Sequence, residues 1–188
     1  MDVFSYVTAT IMLIMGIGIT QLLSDVVDAF RSRQIYRLQW IPMTWAAIVF
    51  AWQMQFLWAI LELEALQPDW TAFEFAILLI LALLLFIAGS LVVPRATDDS
   101  SDAYEQFHQD GRWTLLVLSV FFFLAYVVNV VLFKLEWFSL LNLEDPVLGL
   151  ALLIAVFRKK RSTWKVTTIL FALASIVAIA NLSPRYYD

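Results

Sequence analysis

The sequence contains no cysteine and only one histidine, His108. A chain without cysteine has no disulfide, no thiolate nucleophile and no thiolate ligand for an iron–sulfur cluster. One imidazole also cannot supply the two axial histidines that a membrane cytochrome b would need from a single chain. These absences exclude several kinds of redox centre.

Charged residues are scarce as well. They make up 15% of the chain, against 62% for hydrophobic residues. A soluble domain of 188 residues with this composition would leave much of its apolar surface exposed to water. The formal net charge of −4 does not fit a nucleic-acid-binding surface. Composition therefore predicts an integral membrane protein with lipid around it and no nucleic-acid partner.

The apolar residues are gathered in long uncharged runs. Five runs reach or approach the roughly 20 residues that a helix needs to cross the hydrocarbon core. They cover residues 3–24, 38–61, 75–94, 113–133 and 166–184, and a shorter run covers 146–157. Backbone polar groups in lipid must be satisfied within their own segment, so these runs predict an all-α fold.

Positive charges lie in alternate gaps between the runs. Of the twelve Lys and Arg residues, only Lys134 and Arg185 lie in the other set of gaps. Because Lys and Arg resist translocation, this distribution predicts six transmembrane helices with both termini outside. The predicted spans, in a single domain over 1–188, are about 3–30, 38–61, 73–94, 113–133, 146–160 and 166–183. The gap 95–112 is predicted to be a cytoplasmic loop with a short surface helix ending at Gly111.

The fifth segment is short for a span and allows two interpretations. In the first, a short helix has Asp145 as its N-cap and Pro146 as its first helical residue, and it crosses the membrane. In the second, residues from Trp137 onward also enter the membrane and the chain breaks at 144–146, where carboxylates would be a candidate site. The charge distribution favours the first, because the basic residues after 157 would otherwise lie outside.

Polar side chains recur at helical spacing inside the runs. The predicted polar interior draws on the first, second and fourth helices: Gln21, Asp25, Trp52, Gln55, Tyr126 and Asn129. A carboxylate inside the membrane, such as Asp25, can bind a cation or carry a proton. The alternative is that these groups only form hydrogen bonds between helices, worth about 0.6–2 kcal/mol each. In that case Asp25 and Asp28 lie near the interface, and Asp28 pairs with Arg31.

The loops predicted to lie outside are acidic. Glu62, Glu64 and Glu74 form a predicted outer acidic rim, and a rim of one sign concentrates cations. On the cytoplasmic side, His108 and its neighbouring carboxylates are a weak set of metal ligands. The sequence therefore predicts no metal site and no cofactor.

Several short segments together resemble a known set of proteins. They are Gly-Ile-Gly at 16–18, Gln-Leu-Leu at 21–23, Gln-Trp at 39–40 and Gln-Met-Gln-Phe-Leu-Trp at 53–58, with Arg31, Trp45, Pro94, Tyr104, Arg112 and Trp113. This pattern resembles a widespread set of small six-helix bacterial inner-membrane proteins with no established function. The resemblance covers roughly the first two-thirds of the chain and contains no catalytic motif. It implies a bacterial inner membrane and no particular chemistry.

Three hypotheses for function follow. The first is binding or passage of a small solute or cation through the polar interior, with the acidic rim as an outer attractor. The second is a non-transporting scaffold that binds lipid, quinone or a partner membrane protein through the Trp-rich second helix. A membrane enzyme ranks third, because no nucleophile motif or phosphate-binding loop occurs. Small-residue pairs such as Ala47 with Ala51 suit close helix contact and predict a homo-oligomer.

Overall fold

The computed structural model describes residues 3–32, 39–66, 70–93, 103–158 and 161–182. Within these ranges the chain is all-α, as the sequence predicts, and contains six helices. They are α1 (Val3–Arg31), α2 (Trp40–Leu66), α3 (Ala72–Val92), α4 (Ala103–Val131), α5 (Leu140–Val156) and α6 (Arg161–Leu182).

Five of the helices are long and apolar enough to cross a membrane. Their apolar lengths are Phe4–Arg31, Trp40–Leu63, Ala72–Val92, Gly111–Val131 and Ser162–Asn181, in α1, α2, α3, α4 and α6. Length and composition thus indicate a multi-pass membrane protein. The remaining helix, α5, has 17 residues.

Local capping sets where α3 and α5 begin. Thr71 and Glu74 form a capping box at α3: the Thr71 hydroxyl accepts from the Glu74 N–H at 3.2 Å, and the Glu74 carboxylate accepts from the Thr71 N–H at 2.8 Å. At α5 the N-cap is Ser139, whose hydroxyl accepts from the Asn142 N–H at 3.2 Å. The helix therefore starts at Leu140 instead of Pro146, and it runs through 144–146 without a break.

Two further boundaries differ from simple expectation. The helix expected to stop at Gly111 continues, because α4 is one helix from Ala103 to Val131. At its other end, the Leu135 N–H donates to the Asn129 carbonyl at 3.0 Å while Lys134 adopts φ 57°. This is the left-handed C-terminal turn that glycine usually provides. The Lys134 ammonium donates to the Val131 carbonyl at 2.8 Å and so stabilises the turn.

The helices pack in a ring. α1 contacts α3, α3 contacts α4, α4 contacts α5, α5 contacts α6, α6 contacts α2, and α2 returns to α1. Within the ring, α2 also contacts α3. A helix in such a ring exposes one apolar face outward, and α6 does so through a stripe of exposed residues that includes Leu170, Leu173, Ile176 and Val177.

Side-chain pairs give the directions of the helices. Trp45 and Trp52 of α2 each bond to an α6 residue 123 positions later in the sequence, so α2 and α6 run parallel. Asn181, near the end of α6, reaches Glu144, near the start of α5. Phe4, at the start of α1, packs on Trp70, just before α3, with ring centroids 5.9 Å apart.

Two further contacts orient the remaining helices. A Cβ on Gly89 of α3 would meet Val49 and Gln53 of α2. The Gln53 amide bonds back to Leu85 of α3, so α2 and α3 run antiparallel. Asn129, near the end of α4, bonds to Asp145, near the start of α5.

Together these contacts assign every helix end to one of two ends of the bundle. The starts of α1, α3 and α5 share one end with the last residues of α2, α4 and α6. We call this the Asp145 end, and the opposite one the Arg31 end. Helices that follow one another in the sequence therefore alternate in direction, whereas the ring neighbours α1 and α3, and likewise α2 and α6, run parallel.

Candidate functional site

Aromatic rings fill the middle of the ring of helices. Trp52 of α2 meets Phe122 of α4 edge to face, with centroids 4.7 Å apart, and Phe122 in turn meets Phe171 of α6 at 5.9 Å. Trp45 stacks on Phe171 at 5.2 Å. All four side chains are buried, and close packing of this kind leaves little room for water between α2, α4 and α6.

The two tryptophans also satisfy their polar atoms inside this aromatic layer. The Trp45 indole N–H donates to the Thr168 hydroxyl at 3.0 Å, and the Trp52 N–H donates to the Ser175 hydroxyl at 3.1 Å. The Thr168 hydroxyl in turn donates a hydrogen bond to the Trp164 carbonyl at 2.8 Å. Trp52, a predicted interior residue, is thus a buried structural contact between α2 and α6.

The fully buried glutamine of α2 is Gln53, which the predicted interior did not include. Its amide Nε2 donates to the Leu85 carbonyl of α3 at 3.2 Å, while Oε1 has no hydrogen-bond partner among the described residues. Gly18 of α1 and Gly89 of α3 provide the space, since a Cβ on them would lie 3.5 Å and 3.0 Å from Nε2. Gln55, the predicted residue, is half-buried.

On α1, two residues of the predicted polar interior bond to each other. The Gln21 amide donates to Asp25 Oδ1 at 2.9 Å, and Oδ2 of the same carboxylate is buried without a partner among the described residues. One turn further, Arg31 and Asp28 are 3.9 Å apart with both side chains well exposed. An exposed pair of this kind contributes little. The pair of Gln21 and Asp25 lies in the half of α1 nearest the Arg31 end.

The predicted residues of α4 bond near the turn into α5. The Tyr126 hydroxyl donates to the Trp137 carbonyl at 3.0 Å, and the two rings lie 5.6 Å apart. The Asn129 amide donates to Asp145 Oδ2 at 2.7 Å. Asp145 is only 5% exposed, which makes it a buried carboxylate with an uncharged partner.

More buried polar groups occur in the first two turns of α5. Asn142 is fully buried: its Nδ2 donates to the Glu136 carbonyl at 3.3 Å, and its Oδ1 has no partner among the described residues. Glu144 accepts from the Asn181 amide of α6 at 3.1 Å through Oε1, whereas its Oε2 is buried and without a partner within that same described part of the chain. We call Asn142, Glu144 and Asp145 the α5 acceptor cluster.

Two residues of the predicted outer acidic rim, Glu74 and Glu62, lie in different surroundings. Glu74 holds the capping box of α3, with its Oε2 also accepting from the Thr71 hydroxyl at 2.9 Å. Glu62 is half-buried on α2. The side chains of Glu64 and His108 lie outside the described residues.

The structure brings Gln21 to Asp25 and Asn129 to Asp145, and it places these pairs at opposite ends of the bundle. The aromatic layer lies between them. Sequence spacing alone could not find Gln53 or Asn142, because their burial depends on which helices become neighbours, and it made the carboxylates at 144–145 a candidate site only if the chain broke there. The sequence 142–146 did contain a signal, since two carboxylates precede a proline there.

These groups have a definite chemical character. Carboxylate and amide oxygens without donors attract a proton or a hard cation. Among the described residues, no three His, Cys, Asp or Glu side chains come together as a metal-binding group. The acceptor oxygens at the start of α5 belong to two carboxylates, Glu144 and Asp145, and one amide, Asn142. Comparisons of the chain with protein-family models, with curated proteins and with solved structures find no match.

Proposed function

We propose that this chain is a six-span protein of the bacterial inner membrane that binds a small solute or cation near one membrane face. The observation that carries the proposal is the separation of polar from aromatic groups. Buried carboxylate oxygens without partners among the described residues lie near the ends of the bundle, at Asp25 and at Glu144 of the α5 acceptor cluster. The amide oxygen of Gln53, which is also buried without a partner in that part of the chain, lies at the middle of α2, and the amide nitrogen of the same side chain bonds to α3. Between these ends, Trp45, Trp52 and the phenylalanines of α4 and α6 fill the centre.

Helix directions support the sixth span. α2 and α6 run parallel, so an odd number of crossings lies between them. If α3 and α4 both cross, α5 crosses too. Its 17 residues extend about 25 Å at 1.5 Å per residue, slightly less than ~30 Å of hydrocarbon. Snorkelling side chains and local thinning of the bilayer accommodate a difference of this size.

The distribution of positive charge supports the orientation. Arg31 ends α1, and Arg158 follows α5, so both lie at the Arg31 end. Arg112 and Lys165 lie in the first turns of their spanning segments, at that same end. Lys134 follows α4 at the Asp145 end. Because positive loops stay in the cytoplasm, the Arg31 end faces the cytoplasm and both termini lie outside.

The filled centre favours binding over passage. A solute crossing between α2, α4 and α6 would have to separate the Trp52–Phe122 and Phe122–Phe171 contacts. It would also break the Trp52–Ser175 hydrogen bond. A small cation can reach a group near the membrane face without disturbing any of these.

The test uses the purified full chain. In detergent, thermal unfolding is followed with increasing NaCl, KCl, MgCl₂ or CaCl₂ at constant ionic strength, with choline chloride as the balancing salt. A bound cation raises the unfolding temperature, because only the folded state binds it; at 100 times Kd the gain is about 2.7 kcal/mol. In proteoliposomes we expect cation flux no higher than in protein-free liposomes. The absence of any cation-specific shift contradicts cation binding, and protein-dependent flux contradicts a closed centre.

A scaffold without a small ligand is the second candidate, and the filled centre favours it as well. Trp40 and Trp58 are the tryptophans of α2 that remain partly exposed, at 46% and 39%, and they lie near opposite ends of its apolar length. Such rings suit the headgroup region or a partner helix. A scaffold predicts no cation-specific shift in unfolding temperature, so the same titration separates the two functions.

A further inference from the structure

We infer that the basic segment 158–165, which joins α5 to α6 at the Arg31 end, binds the headgroups of anionic phospholipids. Its positive residues are Arg158, Lys159, Lys160, Arg161 and Lys165. Residues 159–160 and the side chain of Arg161 lie outside the described part of the chain, so the site is assigned to Arg158 and Lys165. Lipid binding here is separate from the cation binding proposed above.

The basic segment concentrates positive charge without any acidic residue. Its eight residues include five Lys and Arg, a formal charge of +5, and the sequence has no Asp or Glu between Asp145 and Asp188. The other two basic gaps at the Arg31 end are different. Residues 25–39 hold three Arg and two Asp, a charge of +1, and residues 95–112 hold two Arg and five acidic residues, a charge of −3.

Membrane orientation explains the basic residues of the segment but not its lack of acidic ones. Lys and Arg set the orientation of short loops, whereas Asp and Glu contribute little to it. Acidic residues are therefore compatible with this end of the bundle, as the five of them within 95–112 illustrate. A surface with charge of one sign attracts a partner with charge of the other sign.

Trp164 holds the two described basic residues close to each other. Its indole N–H donates to the Arg158 carbonyl at 2.7 Å, and Lys165 is the next residue in the chain. Trp164 is only 2% exposed, and its own carbonyl accepts from the Thr168 hydroxyl at 2.8 Å. The end of α5 is thus fixed against the start of α6, and the exposed side chains of Arg158 and Lys165 extend from this junction.

The positive charges of Arg158 and Lys165 are not neutralised within the described part of the chain. Neither side chain forms an ion pair with a described residue. Arg31, at the same end of the bundle, lies 3.9 Å from a carboxylate oxygen of Asp28. The basic segment therefore has charge available for an external anion.

The neighbouring apolar side chains favour a lipid as the source of that anion. Phe157 precedes Arg158 and is 76% exposed, and Val166 follows Lys165 and is 53% exposed. On the outside of a membrane protein such side chains contact acyl chains, and the long Lys and Arg side chains beside them extend to the headgroup level. There they form charge-assisted hydrogen bonds with a lipid phosphate. A soluble anion would have no use for the two apolar neighbours.

The test is a lipid titration of the purified full chain in detergent, with the lipid-bound fraction measured by native mass spectrometry. Phosphatidylglycerol and phosphatidylcholine with the same acyl chains are compared, because only the first has a net negative headgroup. We expect phosphatidylglycerol to bind about tenfold more tightly or better. Arg158→Gln and Lys165→Gln should each weaken its binding about fivefold, the contribution of one basic residue near an anionic surface, and leave phosphatidylcholine binding unchanged.

Arg31→Gln is the matched control. It makes the same kind of change at the same end of the bundle, at a side chain that already has Asp28 beside it. It should bind phosphatidylglycerol as the parent does. Equal weakening by all three variants would mean that the total charge of this membrane face attracts the lipid, and the assignment to the basic segment would be wrong.

The remaining outcomes also decide the matter. Selective weakening by Arg158→Gln and Lys165→Gln supports the site, whereas equal affinity of the parent for both lipids overturns it. If glycerol 1-phosphate at the same concentration displaces the lipid, the ligand is a free phosphate and not a lipid. If light scattering shows that the two variants dissociate an oligomer while lipid affinity stays the same, the segment binds the acidic surface of another copy, and lipid binding is wrong. Both positions are exposed, and circular dichroism checks the fold of each variant.

Discussion

At the scale of single residues, Gln53 shows how a polar side chain is fitted among three helices. It is fully buried, and its one hydrogen bond to the described residues goes to the Leu85 carbonyl of α3. Gly18 and Gly89 leave the space that its amide occupies. A hydrogen bond between helices in lipid contributes about 0.6–2 kcal/mol. The bond from the Gln53 amide to Leu85 therefore helps to hold α2 against α3 and to fix their relative rotation.

Gly89→Ala should destabilise the protein by about 1–3 kcal/mol, the range expected for an added methyl group in a packed core. The new Cβ would lie 3.0 Å from Gln53 Nε2, and the amide cannot retreat without lengthening its 3.2 Å bond to Leu85. Unfolding by SDS in mixed micelles measures the change.

Gly16→Ala is the matched control for this change. A Cβ at Gly16 meets nothing within 4 Å, and alanine favours the helix, so stability should stay equal or rise. Equal stability of the two variants would mean that the Gln53 amide moves freely, and its proposed role in fixing α2 against α3 would be wrong.

At the scale of helices, the capping box at α3 gives Glu74 a structural role in place of its predicted role in attracting cations to the outer acidic rim. The Glu74 carboxylate accepts from both the N–H and the hydroxyl of Thr71, so it is bound to the helix start rather than free for a cation. Residues of an acidic rim can therefore have structural roles that charge counting does not reveal.

Thr71→Ala should lower stability by about 0.5–2 kcal/mol, the usual cost of removing an N-cap hydroxyl. The Glu74 N–H would lose its acceptor, and Glu74 would lose one of its two donors from Thr71. Thermal unfolding by circular dichroism measures the loss. Thr10→Ala removes an exposed hydroxyl that bonds within α1 to the Tyr6 carbonyl, and it should change stability by a few tenths of a kcal/mol at most. A Thr71→Ala variant as stable as Thr10→Ala would contradict the role of the cap.

Helix type and order follow directly from the uncharged runs, because length and hydrophobicity are local properties. Boundaries were less predictable. Both Ser139 and Asp145 are acceptable N-caps, and the choice of Ser139 depends on Asn142 and Asp145 packing against α4 and its turn. That packing is tertiary, and no local rule contains it.

The polar groups show the same limit. Gln53 and Gln55 are two residues apart on α2, which places them about 200° apart around the helix. Only one of them can therefore face the core. Gly18 of α1 and Gly89 of α3 leave the space that the Gln53 amide occupies, so Gln53 is the one that does. Pairs within one helix, such as Gln21 with Asp25, were predictable because their geometry is local.

At the scale of the whole molecule, the alternating directions of all six helices connect the fold to its orientation. The parallel run of α2 and α6 requires α5 to cross whenever α3 and α4 do. The absence of cysteine makes this requirement easy to test, since any cysteine introduced is the only one in the chain.

Phe138→Cys and Ser162→Cys should differ in their reaction with an impermeant maleimide: one should react while the membrane is intact, and the other only after it is disrupted. Phe138 lies between α4 and α5 and is 85% exposed, and Ser162 is exposed in the first turn of α6. With six spans and the Arg31 end in the cytoplasm, Phe138→Cys is labelled in intact spheroplasts, whereas Ser162→Cys is labelled only after the membrane is disrupted. The parent chain, which has no thiol, is the control and should show no label.

Each other result identifies a different error. Labelling of both cysteines in intact spheroplasts, or of neither, would mean that α5 does not cross and that α2 and α6 cannot be parallel in the membrane. Labelling of Ser162→Cys alone would keep the six spans and reverse the orientation, because α5 still separates the two positions. The α5 acceptor cluster would then face the cytoplasm, and the cation that it meets would be drawn from the inside of the cell.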